Sequence, residues 1–478
     1  MTVGHSNSTA TLAGPSPSAA GTRRVAMLVV IAAVFMTNLD LWIVNVALPD
    51  IGHDFGGRGH AVSLSDLSWV LNGYAVALAA LLIAAGRLGD RIGHRRVFLA
   101  GVTVFTLASA GCAIAPGLGW LVAARVVQAA GAAAQLPTSL ALLLASVPAD
   151  KRATAARGWA AVGGLAAASG PVIGGLLIEQ SWRWVFVVNL PIGALSIVAG
   201  LLVLPHPPAR ETGPWPDLLG AGLVTVTLAA LTGALVQAPG WGWTSGRTLG
   251  LAALAIVAGA LFLRRCATHR YPLVELGLFR VGQFSRANVA VFVFSVGFAI
   301  MLLSNVLWCQ EVWGYSPLRT GLALVPGPAL VPVVTILTVR AMHRFGPGRL
   351  AALGGVFFAG AMLWRVAFAE VHPNYLRDLL PSSILGGIGV GLALGTLIAA
   401  GVTALPAERS ATGSAVVNAG RQVASAVGVA LFVTVVGEHV GAFSRGDFRL
   451  AWTLAAGLSL TTTALALSLR HQRKAQRG

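Results

Sequence analysis

Asp40 is the acidic side chain set deepest inside an apolar run, in the stretch Leu39-Asp40-Leu41-Trp42-Ile43-Val44-Asn45. A carboxylate surrounded by hydrocarbon is costly, and its usual use there is to handle a proton or an ion. Removal from water penalises the charged form, which suits such a group to loading and releasing a proton. The alternative is a structural acid held permanently by a basic residue or an amide. Arg125 stands in a second apolar run and must face protein or a water-filled cavity. Helical spacing continues its face through Gln128, Ala132 and Gln135. One arrangement pairs Arg125 with Asp40; the other lets Arg125 reach back to the outer interface. Asp40 shares a helix face with Val44 and Ala47, whereas Asn38, Trp42 and Asn45 lie together on another. In the second half of the chain Asn418, Arg421 and Gln422 form a polar group suited to lining a cavity. Trp308 and Glu311 close an apolar run at its outer end, where a tryptophan reads as an interface anchor.

Other chemistries lack their signatures. There is no phosphate-binding loop, so ATP is not the expected energy source, and no catalytic triad or histidine stands within an apolar run. Cys112, Cys266 and Cys309 are dispersed among different runs and read as small buried hydrophobes rather than a zinc site or disulfide framework. No metal and no cofactor are expected; a proton gradient supplies the free energy.

The elements that must position these residues are membrane spans. The chain has 478 residues, 56% hydrophobic and only 10% charged, with a mean hydropathy of +0.78. A typical soluble domain is about 25% charged, so lipid must be part of this chain's solvent. Fourteen apolar runs approach or exceed the length needed to span, near 25–48, 66–86, 97–115, 119–146, 154–178, 184–204, 217–237, 248–267, 287–309, 319–340, 350–370, 381–405, 411–436 and 450–470. The formal charge of +17 invites a nucleic-acid reading. The basic residues, however, are scattered through short loops between apolar runs, which membrane topology explains and a nucleic-acid surface does not. With both termini in the cytoplasm, cytoplasmic segments hold 23 Lys/Arg, outside loops eight (Arg365 among them), and spans two, Arg125 and Arg421. That split supports an even span count with both ends inside. Residues 1–24 are expected to form a disordered cytoplasmic tail, with no signal peptide, and 471–478 a second tail.

The loop after the second run reads Arg87-x3-Arg91-x-Gly93-x2-Arg96, and the loop after the tenth repeats that spacing from Arg340 at an offset of 253. Pro148-Ala-Asp-Lys-Arg-Ala-Thr154 recurs as Pro406-Ala-Glu-Arg-Ser-Ala-Thr412 at an offset of 258. Two matches at nearly one offset predict two homologous six-helix bundles, 25–205 and 271–470, with two helices inserted in a linker over 206–270. Parallel repeats with a central site between them are a transporter architecture.

Four stretches now carry a family resemblance: Gly86-Arg87-Leu-Gly89-Asp90-Arg91-Ile-Gly93-His-Arg95-Arg96; Leu39-Asp40 through Pro49; Gly170-Pro171-x-x-Gly174-Gly175; and Trp182-Arg183-Trp184 through Asn189-Leu-Pro191. Together they resemble the fourteen-span drug:proton antiporters of the major facilitator superfamily. The resemblance implies an all-α membrane fold of two pseudo-symmetric bundles plus two inserted helices. It implies export of small amphipathic molecules by alternating access, with Asp40 and Arg125 in proton coupling. The loop over 86–96 would be a cytoplasmic latch holding the outward-facing state, weakened or absent in the second copy, where His343 replaces the aspartate. Gly170, Pro171, Gly174 and Gly175 would form the kinked, closely packed antiporter helix. Asn45, Gln128, Gln135, Asn418, Arg421 and Gln422 are candidate cavity residues. The family usually has Thr at the position of Trp42 and Gly at that of Ala129. Cargo is expected to be neutral or weakly charged, and the chain is expected to act as a monomer among lipids of the inner membrane. The rival readings are a transporter of another cargo (a metabolite, siderophore, lipid or amino acid), a membrane enzyme, and a non-transporting sensor.

Overall fold

The computed structural model describes residues 17–56, 62–147, 151–205, 215–437 and 445–469. Arg58, Arg210, the start of the Pro148 repeat, the extreme tails and the side chains of Arg340 and His343 lie outside that description. Among the described residues fourteen helices are long and apolar enough to cross a membrane, one in each run named above.

The first bundle comprises α1 (Pro17–Gly56), α2 (Leu64–Ile92), α3 (His94–Ala113), α4 (Leu118–Ala145), α5 (Arg152–Ile178) and a sixth span broken into α6 (Trp184–Val187) and α7 (Asn189–Val203). α1 begins at Pro17, inside the stretch expected to be tail. Two helices follow, α8 (Leu218–Trp241) and α9 (Gly246–Thr268). The second bundle comprises α10 (Gly282–Leu307), α11 (Pro317–Leu324), α12 (Pro326–Phe345), α13 (Pro347–Phe368), α14 (Leu380–Val402), α15 (Ala407–Val436) and α16 (Arg445–Leu467). α11 and α12 are one span interrupted where Pro326 and Pro328 withdraw backbone donors. Ser63, Ser245 and Ser316 cap α2, α9 and α11 by accepting from the backbone N–H three residues on, satisfying donors that a helix start leaves open.

The repeat is built into the backbone. Gly93 (φ 100°) joins α2 to α3, and Gly346 (φ 79°) joins α12 to α13 at the 253 offset. Both hold left-handed conformations that side chains resist. At the α3–α4 crossing a Cβ on Gly131 would lie 2.7 Å from the Gly101 carbonyl oxygen; at the α13–α14 crossing one on Gly389 would lie 2.8 Å from that of Gly354. Gly354 and Gly389 stand at the offsets 253 and 258 from Gly101 and Gly131. Small residues let these backbones meet where lipid offers no hydrophobic drive to association.

An even number of crossings puts the first and last described helix ends on one face, called here the terminal face. The two bundles meet toward the other, or opposite, face. There His53 Nε2 lies 3.3 Å from Glu311 Oε1, and Gln310 Nε2 donates to the Val46 carbonyl at 3.0 Å. α5 packs on α11 and α12 along one seam, and α2 packs on α15 along the other. α8 lies over the α2–α15 seam, touching both helices, and α9 packs on α8.

Two expectations are corrected. Trp308 is no interface anchor: it is 1% exposed, its ring packed edge-on against Trp313, Phe448 and Trp452. α10 continues into a wider turn over Trp308–Val312, which swings the ring inward among these aromatics. Arg365 is not in an outside loop. It is 2% exposed inside α13, donating to Ser382 Oγ at 2.9 Å and to Asn305 Oδ1. A guanidinium at that depth persists because neighbouring helices supply acceptors that lipid cannot.

Candidate functional site

Asp40 is completely buried, on the face of α1 turned into the first bundle. Arg125 of α4, 1% exposed, donates from Nη1 to Asp40 Oδ2 at 2.5 Å. The other carboxylate oxygen accepts from Gln128 Nε2 at 3.0 Å and Asn189 Nδ2 at 3.1 Å. Ser109 Oγ on α3 ties these two amides together, accepting at 2.8 Å and 3.3 Å. Arg125 spends its remaining capacity on Gln128 Oε1 at 2.5 Å and on the Val70 carbonyl at 3.3 Å. Its guanidinium lies 4.1 Å from the Tyr74 ring centroid and 5.9 Å from that of Phe186, a cation–π arrangement. Residues of five spans thus join in one network around this carboxylate, two of the spans bonding it directly, and Arg125 is not a side chain reaching for the interface.

Desolvating both charges is costly, so such a pair is weak evidence of stability. Its chemistry lies elsewhere: a proton on Asp40 cancels one charge of a bonded pair in a low dielectric, where that change matters far more than in water. Asn189 Oδ1 and the Tyr74 hydroxyl are buried beside the pair without partners, leaving acceptor and donor capacity open next to it.

The second bundle repeats the scaffold but not this chemistry. At the 258 offset Arg125 corresponds to Ser383 and Gln128 to Gly386; at 253, Ser109 corresponds to Met362 and Cys112 to Arg365. Each half therefore buries one arginine in its bundle interior, but the second lacks a carboxylate within ion-pairing distance among the described residues.

The remaining candidates divide. Asn38, Trp42 and Asn45 are half-buried along one face of α1, and the two amides donate to carbonyls one turn back. Trp42 packs edge-on against Phe298 of the second bundle, ring centroids 6.1 Å apart. Asn418 and Arg421 bond each other at 3.2 Å on α15, with Gln422 beside them and all three half-buried. Gln128 and Gln135, in contrast, are completely buried. Gln128 serves the Asp40 network, and Gln135 has both amide atoms unpartnered, so neither lines an accessible surface in this conformation. Between α10 and α15 lies a largely apolar cavity of about 260 Å³ lined by Asn288, Val291, Phe292, Val416 and Gly420 among others.

In the loop over 86–96, Gly89 faces Thr138 Cγ2, which an added Cβ would approach to 2.7 Å. Asp90 Oδ1 lies 3.4 Å from His94 Nε2, within its own bundle. Arg87 donates to the Tyr271 carbonyl at 3.3 Å, Arg95 to that of Leu201 at 2.6 Å, and Arg91 lies 4.1 Å over the Trp215 ring. Arg96 is exposed. Gly86 approaches Pro137 of α4. On α5, Gly170 and Gly174 pack on Trp42 and Ile43 of α1, while a Cβ on Gly175 would lie 2.6 Å from Leu318 Cα of α11. Pro171 presses its carbonyl on Gly321. This one glycine-rich turn therefore touches both bundles.

Sequence reasoning missed Ser109, Tyr74 and the role of Asn189. Asn189 lay within a quoted stretch, but only the break between α6 and α7 turns its amide onto Asp40.

Comparison with known proteins agrees with this architecture. A family model described as Major Facilitator Superfamily matches residues 30–219. Multidrug resistance protein Stp of Mycobacterium tuberculosis is 36% identical over 86% of this chain and 75% of its own length. The tetracenomycin C resistance and export protein of Streptomyces glaucescens is 34% identical over 87% and 76%, and the methylenomycin A resistance protein of Streptomyces coelicolor is 34% identical over 89% of each. Among solved structures, a peptide transporter POT in complex with sulfate matches with a TM-score of 0.67 and 15% identity, covering 92% of this chain and 93% of that one, a likeness of fold. With a buried carboxylate–arginine pair set in two repeated bundles and relatives of this identity and coverage, the chain belongs to the major facilitator superfamily, a multi-pass membrane transporter.

Proposed function

We propose that this transporter exports small amphipathic molecules, of the drug or antibiotic kind for which its relatives are named, in exchange for protons. The observation that carries the reading is the buried Asp40–Arg125 bridge between α1 and α4. Protonation of Asp40 removes its hold on Arg125, which keeps the Gln128 and Val70 oxygens and the Tyr74 ring. The opposite face of α1 carries Asn38, Trp42 and Asn45, and Trp42 touches both Phe298 and Gly170. One helix therefore links proton loading to the cargo-facing row and to the contact between bundles, which is the differential interaction that alternating access requires.

The basic residues of the α2–α3 and α12–α13 loops support an orientation with the terminal face on the cytoplasm of the cell membrane and both termini inside. In this conformation the bundles are joined toward the outside, so cargo arrives from the cytoplasm or the inner leaflet. The half-buried amides of Asn45 on α1 and of Asn418 and Gln422 on α15 suit a neutral or weakly charged amphipath. The electrical part of the gradient contributes about 2.3 kcal/mol per charge per 100 mV. The protein works as a monomer and carries out no covalent chemistry.

Efflux of Hoechst 33342, ethidium and a panel of antibiotics from everted vesicles tests this. Export abolished by an uncoupler is expected. Export that ignores the uncoupler refutes proton exchange, and a well-folded protein that moves none of the panel refutes drug cargo.

A further inference from the structure

α15 meets its neighbours along narrow strips. A Cβ on Gly413 would lie 3.3 Å from the Phe284 ring of α10, and one on Gly428 2.8 Å from Ala299 Cβ of the same helix. Ala426 packs with Val76 and Ala79 of α2, and Thr434 donates to the Leu235 carbonyl of α8 at 3.2 Å. Helical spacing gathers Ser414, Asn418, Arg421, Gln422 and Ser425 on the remaining side, away from α8 and toward the space between the bundles. All five are half-buried. At the 258 offset their counterparts on α5 are Ala156, Ala160, Gly163, Gly164 and Ala167. The matching face of the first bundle is made of small residues without polar side chains, so the scaffold itself does not call for polar groups at these positions.

Arg421 sets the sign of this row. Among the described residues its side chain bonds Asn418 Oδ1 at 3.2 Å and has no carboxylate within ion-pairing distance. Asp40, the acid set deepest in a span, has both oxygens engaged by Arg125, Gln128 and Asn189 inside the first bundle. The described acids of the helices packed on α15 stand at helix ends: Asp66 and Asp90 on α2, Asp217 before α8, Glu311 beyond α10 and Asp447 on α16. A cation within a span is costly and is usually kept for a ligand or an ion, and the planar guanidinium fork matches a carboxylate. The contacts of Gly413 with Phe284 and of Gly428 with Ala299 share one offset of 129, which sets Arg421 level with Phe292. The Trp42–Phe298 contact stands six residues farther along α10, about 9 Å nearer the opposite face.

We infer that the cargo is an amphipathic organic acid, bound as its carboxylate by Arg421 beside the Asn418 and Gln422 amides, with its apolar body reaching toward the Trp42–Phe298 contact. This rests on the export reading and narrows it: among weakly charged amphipaths the site selects those of negative sign. The Asn418 oxygen takes one guanidinium N–H here; a carboxylate is the stronger acceptor and replaces it. A neutral amide of the same shape gains no charge-assisted bond, and an ammonium meets a like charge where water screens it poorly. A membrane potential negative inside then drives the bound anion outward, in the direction of export.

The test compares probes of one shape and different charge: pyrenebutyrate, pyrenebutanamide and pyrenebutylamine. Each is titrated near neutral pH onto the full-length protein in nanodiscs of zwitterionic lipid, with tryptophan-to-pyrene energy transfer as the signal and empty nanodiscs as the blank. The expected order of affinity is acid, amide, amine, the acid at least about ten-fold tighter than the amide, the margin of a charge-assisted bond over a neutral one. Arg421→Gln should bring the acid and amide affinities together, and Arg421→Lys, which keeps the charge, should leave the acid first. Equal affinity for acid and amide in the parent, an amine that binds best, no saturable binding of any probe, or an acid preference that survives Arg421→Gln each overturn the inference. The order in the parent needs no variant, so it decides the sign of the site even where Arg421→Gln fails to fold. Binding in nanodiscs also needs no gradient. Acid held through Arg421 but not accumulated by energised everted vesicles overturns the export reading and leaves the anion site standing.

Discussion

Asp40→Asn separates a structural ion pair from a proton-carrying one. The carboxylate accepts from Arg125, Gln128 and Asn189, and an amide of equal size keeps the shape while losing the charge. At a separation of ~4 Å and an effective dielectric of 20 the lost attraction is about 4 kcal/mol. Breaking one side of a buried pair costs about 3–5 kcal/mol, since the other charge is left uncompensated. One proton crossing a membrane at 100 mV delivers about 2.3 kcal/mol from its electrical part, so the driving force is of the order needed to open this bridge. Asp40→Asn should therefore lower the melting temperature and abolish uncoupler-sensitive dye export in everted vesicles. Arg125→Gln added to Asp40→Asn removes the stranded cation and should recover most of the stability, the coupling expected of residues in contact. It should not recover export, because no titratable group has been restored; Asp40→Glu should recover part of it. Export that returns in the double variant, or survives in Asp40→Asn with its uncoupler sensitivity intact, would refute the assignment of Asp40 as the proton carrier.

Gly175→Leu should wedge α5 from α11, where backbone stands 2.6 Å from an added Cβ. Overpacking of about 1–3 kcal/mol shifts the equilibrium away from closure at the opposite face, read as a lower disulfide yield in a His53→Cys/Glu311→Cys pair; an unchanged yield would count against α5–α11 contact as part of that closure. Arg365→Met should melt at the same temperature as the parent or higher, because an apolar replacement relieves a buried cation whose observed partners are the neutral Asn305 and Ser382; a fall of several degrees would show that those bonds outweigh its burial. Asp217, at the start of α8, is pushed up by burial but pulled further down by the Gly220 N–H and Arg265, and so titrates below the ordinary 3.8. Its contribution is complete above 3.8 and is lost as pH falls through the lower folded value. Asp217→Ala should cost about 1–2 kcal/mol at neutral pH through the lost cap and flatten the acid limb of the melting curve; equal acid sensitivity in both proteins would contradict this.

Much of the fold follows from one-dimensional information. Apolar runs long enough for a bilayer have few alternatives to helix, because every backbone group must be satisfied within the segment. The loop spacings at 253 and 258 announced two related halves, and the crossings at Gly101 and Gly354 keep those offsets in the backbone. Asp40 and Arg125 stood out for the same reason: an ionised side chain in an apolar run needs a partner. Their pairing was one of two arrangements open to the sequence, and the choice was not legible there, since 85 residues separate the two and only bundle packing brings them to contact. Gln128 looked like a cavity residue from its face on α4, yet the same face turns inward onto Asp40. Trp308 and Arg365 were misplaced because hydropathy locates a residue near a span's end without saying which side of the helix meets protein. The sequence counts helices, marks their repeat and picks out costly charges, all set by local energetics. Which seam α8 covers, which amides converge on Asp40 and which arginine goes unpaired depend on helices far apart in the chain meeting side by side, and those contacts exist only once the bundles have packed.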